Sequence, residues 1–244
     1  MTEKDNKPII EIRQLVKTYG VLPVLRKLDL TINRGDFVAL LGPNGSGKST
    51  LLRLLTGISR PTAGRVLVGG WELPKEVAAV RAQIGLVSHL SLLYENLTAY
   101  ENLQFFARLY NLPSGEMDDT IKAMLRQVGL YKRMHDLVRT FSRGMQQRLS
   151  IARALIHDPA ILLFDEPYTG LDQDAAGILD EMFLDMQERT IIMATHQLDR
   201  AARLTSRVVI LSRGKAGYDV PSETLDTIKL AADYAEITGV ASAR

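Results

Sequence analysis

The stretch Gly42-Pro43-Asn44-Gly45-Ser46-Gly47-Lys48-Ser49-Thr50 decides the fold of this chain. It fits the pattern G-x-x-x-x-G-K-[ST], in which glycines let backbone N–H groups curl around an anion. In this pattern Lys48 reaches the β- and γ-phosphates of a nucleotide, and the Ser49 hydroxyl is a ligand of Mg²⁺. The apolar run Phe37–Leu41 precedes the loop and a leucine-rich helix follows it. We therefore predict nucleotide binding rather than a ligand-free glycine-rich turn.

A second apolar run, residues 161–164, ends in the two carboxylates Asp165 and Glu166. Two solvated acids in a loop would be the ordinary interpretation of this pair. The phosphate loop favours a functional interpretation instead, because a Mg²⁺–nucleotide site needs nearby carboxylates. Asp165 is then predicted to hold Mg²⁺ through its water shell. Glu166 is placed to take a proton from an attacking water.

Short apolar runs alternate with helical patterns on both sides of one central stretch. This rhythm predicts a layered α/β core with much parallel pairing. The predicted strands after the first hairpin are residues 37–41, 84–88, 160–164, 190–194 and 208–211. We predict a single domain over 1–244, in which 1–89 and 158–220 form the α/β core, about 90–157 a helical insertion, and 221–244 a helical tail.

Two helices are predicted within the insertion. Thr98 followed by Glu101 forms a capping box, and the helix that it starts stops at Pro113. The second helix runs from about Gly144 to His157, and Ser142 is its predicted cap. The N–H groups that this helix leaves free offer a second phosphate contact, but an ordinary capped helix would look the same.

Composition excludes several other kinds of protein. A net charge of +2 over 244 residues is too weak to predict nucleic-acid binding. The chain contains no cysteine, which excludes disulfide frameworks and thiolate chemistry. The longest apolar runs have about five residues where a membrane span needs roughly 20, and the polar start is not a signal peptide. Work at a membrane would therefore require a partner.

In their order along the chain, these segments resemble an ABC-type ATPase, the nucleotide-binding subunit of an ABC transporter. The resemblance covers nearly the whole length. The matching landmarks are Tyr19 (the aromatic that stacks on adenine), 42–50 (Walker A), 141–148 (the signature, LSGGQ in the family), 161–166 (Walker B), Gly170-Leu171-Asp172 (the D-loop) and His196 (the switch histidine). It implies a P-loop NTPase (RecA-like) core with an N-terminal antiparallel β subdomain and an inserted α-helical subdomain.

The chain departs from the family pattern at two places. His89 stands where the family usually has glutamine, and in the signature Arg143 replaces a glycine and Met145 the glutamine. Magnesium prefers oxygen ligands, so His89 would act through a water or merely fill space. A wider pattern is similar to the ATP-binding subunit of haem exporters used in cytochrome c maturation: Val87-Ser88-His89, then Leu93-Tyr94 and Leu97-Thr98, with Ser142-Arg143-Gly144-Met145 later. The similarity predicts an exporter and suggests haem as one cargo.

The resemblance also implies how the chain would work. Two chains would lie head to tail, each ATP between Walker A of one chain and the signature of the other. Lys48, Ser49 and Asp165 would hold Mg·ATP, Ser142 and the Gly144 N–H would contact the γ-phosphate from across the interface, and Glu166 would polarise the water. His196 would position the γ-phosphate and link it to Asp172 in the D-loop.

The resemblance further implies partners and a location. The chain would form a homodimer and act with integral membrane permease subunits at the cytoplasmic face of the cell membrane, without nucleic acid. An apolar stretch is either core or the surface that receives a permease helix: Leu92, Leu93, Tyr94, Leu97 and Tyr100. Open alternatives are an ABC-2-type drug or lipid exporter, an importer, a soluble ABC-type ATPase of DNA or translation, and a P-loop small-molecule kinase.

Overall fold

A computed structural model describes residues 8–88, 91–186, 188–222 and 226–239. Within these ranges the strands are β1 (Pro8–Tyr19), β2 (Leu22–Asn33), β3 (Phe37–Leu41), β4 (Ala63–Val68), β5 (Trp71–Leu73), β6 (Ile84–Val87), β7 (Ile161–Asp165), β8 (Thr190–Ala194), β9 (Arg207–Ser212) and β10 (Lys215–Pro221). The helices are α1 (Lys48–Leu55), α2 (Val77–Ala82), α3 (Ala99–Leu109), α4 (Ser114–Gln127), α5 (Arg143–Leu155), α6 (Gln173–Leu184), α7 (Leu198–Leu204) and α8 (Thr227–Thr238).

The main sheet has six strands in the order β10-β9-β3-β8-β7-β6. All neighbouring pairs are parallel except β9 with β10. Every residue of β3, β7 and β8 is buried, as expected of apolar runs that are covered on both faces. Because β3, β8 and β7 are adjacent and parallel, the loops at their carboxyl ends meet at one edge of the sheet.

A second sheet of four antiparallel strands has the order β2-β1-β4-β5. Its buried residues alternate with exposed ones, the pattern of a sheet with one face on the core. Leu25 of β2 and Leu40 of β3 belong to the same apolar cluster as Leu51 of α1. The two sheets therefore share one core, which confirms the predicted α/β fold class with an antiparallel β portion.

Helices α3, α4 and α5 follow one another along the chain between β6 and β7, and they pack against each other. Thr98 and Glu101 make the predicted capping box. Helix α4 was not among the helices that the sequence predicted, and neither was strand β10 among the strands. Gly85 of β6 fixes the position of α5, because a Cβ on Gly85 would lie 2.4 Å from the carbonyl oxygen of Ala154. Among the helices described, none is both long and apolar enough to cross a bilayer.

Candidate active site

The loop from Gly42 to Gly47 connects β3 to the amino end of α1 at the functional edge of the sheet. The Nζ of Lys48 folds back across this loop and donates to the carbonyl oxygens of Gly42 at 2.6 Å and Pro43 at 3.3 Å. Burial lowers the pKa of Lys48, and the carboxylates of Glu166 and Asp165 partly oppose that shift. A desolvated ammonium of this kind is stabilised further by an anion in the loop.

Two glycines of the loop are required by close contacts. Gly42 has φ +148°, and a Cβ there would lie 2.3 Å from the carbonyl oxygen of Leu211. Gly47 has φ +112°, and its Cβ would lie 2.7 Å from Cδ2 of Leu25. The loop can therefore hold its curved path only with glycine at these positions.

The loop encloses a cavity of about 280 Å³ that is suited to phosphate groups. Its lining consists of Val24, Asn44, Gly45, Ser46, Gly47, Lys48, Ser49, Thr50 and Glu166. The Ser46 Oγ is buried without a hydrogen-bond partner. Helix α1 has neither a side-chain cap nor an acidic residue in its first turn. Phosphate oxygens would satisfy the hydroxyl and the free N–H groups together, so these residues fit a nucleotide.

The Ser49 Oγ donates to Asp165 Oδ1 at 2.9 Å. These are the two oxygen ligands that the sequence predicted for Mg²⁺, and the structure brings them together. Among the described residues, no group of three or more His, Cys, Asp or Glu side chains is arranged to hold a metal. The pair therefore fits Mg²⁺ in the way usual for nucleotide sites, where phosphates and waters complete the coordination.

Glu166 and His196, which the sequence predicted to act in hydrolysis, contact each other. The His196 Nδ1 lies 2.8 Å from Glu166 Oε2. Glu166 has φ +53°, a conformation that costs a non-glycine residue roughly 1–3 kcal/mol. Its N–H donates to the Ala194 carbonyl at 2.9 Å, which fixes this backbone against β8. The carboxylate thus reaches both the cavity and the histidine.

Tyr19 ends β1 on the hairpin that also carries Val24, one of the residues lining the cavity. Its ring is 46% exposed, and the Lys17 ammonium lies 4.7 Å from the ring centroid. Tyr19 itself does not line the phosphate cavity. The position suits a planar ring that lies outside the cavity, as the predicted adenine contact requires.

The signature residues lie away from this cavity, at the amino end of α5. Ser142 caps the helix by accepting from the Met145 N–H at 3.3 Å. A Cβ on Gly170 would lie 2.6 Å from the Arg143 guanidinium, so the arginine covers the loop before α6. None of the residues 142–145 lines the cavity of its own chain.

The D-loop aspartate caps a helix. Asp172 Oδ1 accepts from the Ala175 N–H at 2.8 Å and so begins α6. A Cβ on Gly144 would lie 2.8 Å from the Ala175 Cβ. The signature and the D-loop therefore touch each other within one chain.

His89 lies outside the described residues, so its predicted role stays a prediction. In the apolar stretch that follows, Leu92 and Tyr94 are about half exposed. Leu93, Leu97 and Tyr100 are partly buried. The Tyr100 hydroxyl donates to Asp118 at 2.9 Å. Leu92 and Tyr94 thus lie at the surface of the stretch, whereas the other three residues pack partly against the protein.

An adjoining groove was missed by the sequence analysis. It holds a cavity of about 180 Å³ whose lining includes Arg81, Phe106, Tyr110, Arg153 and His157. The rings of Tyr110 and His157 are stacked with centroids 3.7 Å apart. The Arg153 Nε and the His157 Nδ1 are buried without hydrogen-bond partners. Among the described residues, no acidic side chain lines the groove, and no sequence motif marks it.

Comparison with known proteins agrees with this geometry. The sequence model of the ABC transporter family matches residues 25–169, which include the phosphate loop, the signature and the Walker B strand. The chain is 36% identical over 234 residues to the Nod factor export ATP-binding protein I of Cupriavidus pinatubonensis, covering 95% of this chain and 72% of that protein. It is 38% identical over 208 residues to the ABC transporter ATP-binding protein NatA of Bacillus subtilis, covering 84% and 85%.

A solved structure shows the same fold. It is a dimeric ATP-binding cassette in a post-hydrolysis state with ADP and phosphate bound. Its TM-score is 0.80 at 27% identity, and the match covers 88% of this chain and all of that one. The family match excludes the small-molecule kinase considered above. With its phosphate loop, its Ser49–Asp165 pair and its Glu166 in place, the chain belongs to the ABC transporter family and is an ATP-binding, ATP-hydrolysing subunit.

Proposed function

We propose that this chain powers an exporter by hydrolysing ATP at the edge of the main sheet. One observation carries the proposal: the phosphate cavity, the Ser49–Asp165 pair and the Glu166–His196 pair converge where three parallel strands end. The direction of transport is supported by the similarity to a Nod factor export protein.

In the proposed reaction, a water attacks the γ-phosphorus, its proton passes to the Glu166 carboxylate, and the β–γ bridging bond breaks to give ADP and phosphate. His196 orients that carboxylate through its 2.8 Å contact and reaches the γ-phosphate from the exposed side. Lys48 and the α1 amides balance the phosphate charge. Mg²⁺, when bound to Ser49 and Asp165, supplies further charge stabilisation on the phosphates.

A second copy of the chain would complete the site. Within one chain the signature does not line the phosphate cavity, and its Ser142 is exposed. In the proposed head-to-tail dimer, Ser142, Arg143, Gly144 and Met145 face the γ-phosphate of the partner's nucleotide. The dimeric arrangement of the similar cassette supports this assembly.

The proposed docking surface for the permease is the groove together with its aromatic rim. Tyr94 packs edge-on against Phe105, with ring centroids 5.0 Å apart, and Phe105 in turn lies 5.3 Å from Phe106 in the groove. Exposed apolar patches of this kind mark interfaces. An apolar face of a permease segment would cover the exposed rings of Tyr94 and Phe105. Through this contact the chain would be held at the cytoplasmic face of the membrane.

Two classes of cargo are compatible with the similarities of this chain. Haem for cytochrome c maturation rests on the similarity of residues 87–98 and 142–145 alone. The names of the two relatives given above do not mention haem. A drug or lipid exporter of the ABC-2 type agrees as well with the Nod factor export relative.

Glu166→Gln tests the proposed chemistry. The change keeps the shape and removes the base, so hydrolysis should fall by roughly 10²–10⁴-fold while ATP still binds. ATP should then hold a stable dimer, which size-exclusion chromatography with light scattering would detect. Asp174→Asn, an equivalent change on the solvent side of α6, serves as the control. Wild-type turnover in Glu166→Gln would overturn the assignment.

Tyr94→Glu tests the proposed docking surface. In proteoliposomes that contain the co-purified permease, this change should abolish permease-dependent stimulation of ATP hydrolysis and leave basal hydrolysis intact. Ile228→Glu is the matched control, because Ile228 is 83% exposed on α8. Equal stimulation in both variants would place docking elsewhere, and loss of folding in Tyr94→Glu would assign Tyr94 to the core.

A further inference from the structure

Asp180 on α6 collects three hydrogen bonds from two other parts of the chain. Its Oδ1 accepts from the Tyr168 hydroxyl at 2.7 Å and from the Arg200 Nε at 3.0 Å. Its Oδ2 accepts from an Nη of Arg203. The Asp180 side chain is only 14% exposed. Charge-assisted bonds to so well covered a carboxylate are stronger than ordinary surface contacts.

Arg200 extends this network to a fifth residue, Gln197. Its Nη1 donates to Gln197 Oε1 at 2.6 Å. Its guanidinium carbon lies 4.3 Å from the centroid of the Tyr168 ring. Burial raises the pKa of Tyr168, so its hydroxyl stays protonated and remains a donor. The network therefore runs from Tyr168 through Asp180 and Arg200 to Gln197.

The two ends of this network flank the catalytic pair. Tyr168 is separated from Glu166 by the rigid Pro167, and Gln197 directly follows His196. The Thr169 N–H donates to the Glu166 carbonyl at 3.2 Å, which closes a tight turn at the first end. The Gln197 N–H donates to Thr195 Oγ1 at 3.1 Å, which closes a turn at the second. A displacement of Tyr168 would therefore move Glu166, and a displacement of Gln197 would move His196.

We infer that Tyr168, Asp180 and Arg200 are positioning residues for ATP hydrolysis, which hold the loops of Glu166 and His196 at the separation that the 2.8 Å contact requires. This inference rests on the proposed roles of Glu166 and His196. None of Tyr168, Asp180, Arg200 and Gln197 is among the residues that line the phosphate cavity. The network should therefore affect the chemical step and not the binding of ATP.

Tyr168→Phe and Asp180→Asn test the inference. Each change removes hydrogen bonds of the network and keeps side-chain volume. We expect kcat to fall about 10–100-fold, the range that a small misplacement of a catalytic group produces, while the KM for ATP stays within about twofold of wild type. Arg200→Lys keeps the charge but lacks the planar guanidinium that joins Asp180 to Gln197. It should therefore show the same fall in kcat with the same unchanged KM for ATP.

Tyr218→Phe is the matched control. The Tyr218 hydroxyl donates to Asp233 between β10 and α8, a tyrosine–aspartate bond that shares no residue with the network. This control should lower the urea midpoint by a similar amount and leave kcat unchanged. An equal fall of kcat in Tyr218→Phe and Tyr168→Phe would overturn the inference, because kcat would then follow stability alone.

A double-substitution cycle separates positioning from general support. In a His196→Ala background the contact to be positioned is gone, so adding Asp180→Asn should leave single-turnover hydrolysis unchanged. A further loss equal to that in the wild-type background would contradict the inference. Wild-type turnover in both Glu166→Gln and His196→Ala would contradict the proposed function itself. Loss in those two variants with wild-type kcat in Asp180→Asn would contradict this inference alone.

Discussion

Gly42 stands where β3 turns into the phosphate loop, and its hydrogen side chain leaves room for the carbonyl of Leu211 on β9. At the scale of single residues, this contact ties the loop to the neighbouring strand. Gly45 has a similarly unusual backbone, with φ +79°, but no atom lies within 4 Å of its Cβ direction. A side chain at Gly42 would therefore cause both a collision and backbone strain, whereas one at Gly45 would cause backbone strain alone.

Gly42→Ala should destabilise the protein more than Gly45→Ala. The first change adds a collision to backbone strain, and overpacking typically costs about 1–3 kcal/mol. The second adds only the strain, which costs roughly 1 kcal/mol. Urea denaturation measures the two free energies of unfolding, and calorimetry measures ATP affinity, which should fall further in Gly42→Ala. Equal losses would show that the loop moves away from β9.

At the scale of elements, helix α5 has the signature residues at its amino end and the groove at its carboxyl end. Ser142 begins the helix, and Arg153 lies in its last turn. His157 lies two residues beyond the end of α5, and its Nε2 is 3.2 Å from the carbonyl oxygen of Ile84 in β6. Burial lowers the pKa of His157 to about 4. The imidazole is therefore neutral in the folded protein at neutral pH.

This burial gives the folded state a predictable pH dependence. The unfolded chain binds the His157 proton near pH about 6.5, whereas the folded chain resists it down to about 4. Acidification therefore favours unfolding, and after a discount for partial exposure the loss is about 1 kcal/mol between pH 7 and pH 5. His157→Gln should reduce that loss in urea denaturation at the two pH values. The exposed His135→Gln should retain the wild-type loss.

Elements with strong local signals could be predicted from sequence, and the others depend on their neighbours. The loop at 42–50 and the capping box of Thr98 and Glu101 are defined by residue types at fixed spacing along the chain, so the sequence alone reveals them. Helix α4 buries only Met117, Ile121 and Leu125, and Pro113 at its start offers no side-chain cap. Strand β10 alternates exposed and half-buried residues against α8, so its pattern appears only once that helix is placed.

The candidate site divides in the same way. Lys48, Ser49, Asp165 and Glu166 could be found because their motifs fix spacing along the chain. Asp180 and Arg200 carry ordinary charges on amphipathic helices, and only the fold brings them to the catalytic loops. Sequence spacing says nothing about such contacts between elements.

At the scale of the whole molecule, Arg207 connects the two sheets. On β9 it donates to both carboxylate oxygens of Asp219 on β10, at 2.6 and 2.7 Å. Its Nη1 donates to the Thr31 carbonyl of β2 at 2.8 Å and to Asp36 at 3.2 Å. One guanidinium thus joins the main sheet to the antiparallel sheet.

Arg207→Met should lower the free energy of unfolding by about 1–3 kcal/mol, because partly covered acceptors on both sheets lose a charged donor. The measurement is urea denaturation followed by circular dichroism. Arg65→Met is the control, because Arg65 makes a similar two-point contact with Glu72 inside the antiparallel sheet and is largely exposed. Little change is expected there. A similar loss in both variants would remove the special role of Arg207.

The contact of Gly85 with Ala154 gives α5 the mechanics of a lever. The backbone of α5 touches β6 near one end of the helix, so a tilt of α5 about that point would move its other end most. From there to Arg143 the helix spans about 16 Å at ~1.5 Å per residue. A tilt of about 10° at this fulcrum then carries Ser142 through about 3 Å, the length of one hydrogen bond. A small rotation beside the groove would thereby make or break a contact at the far end.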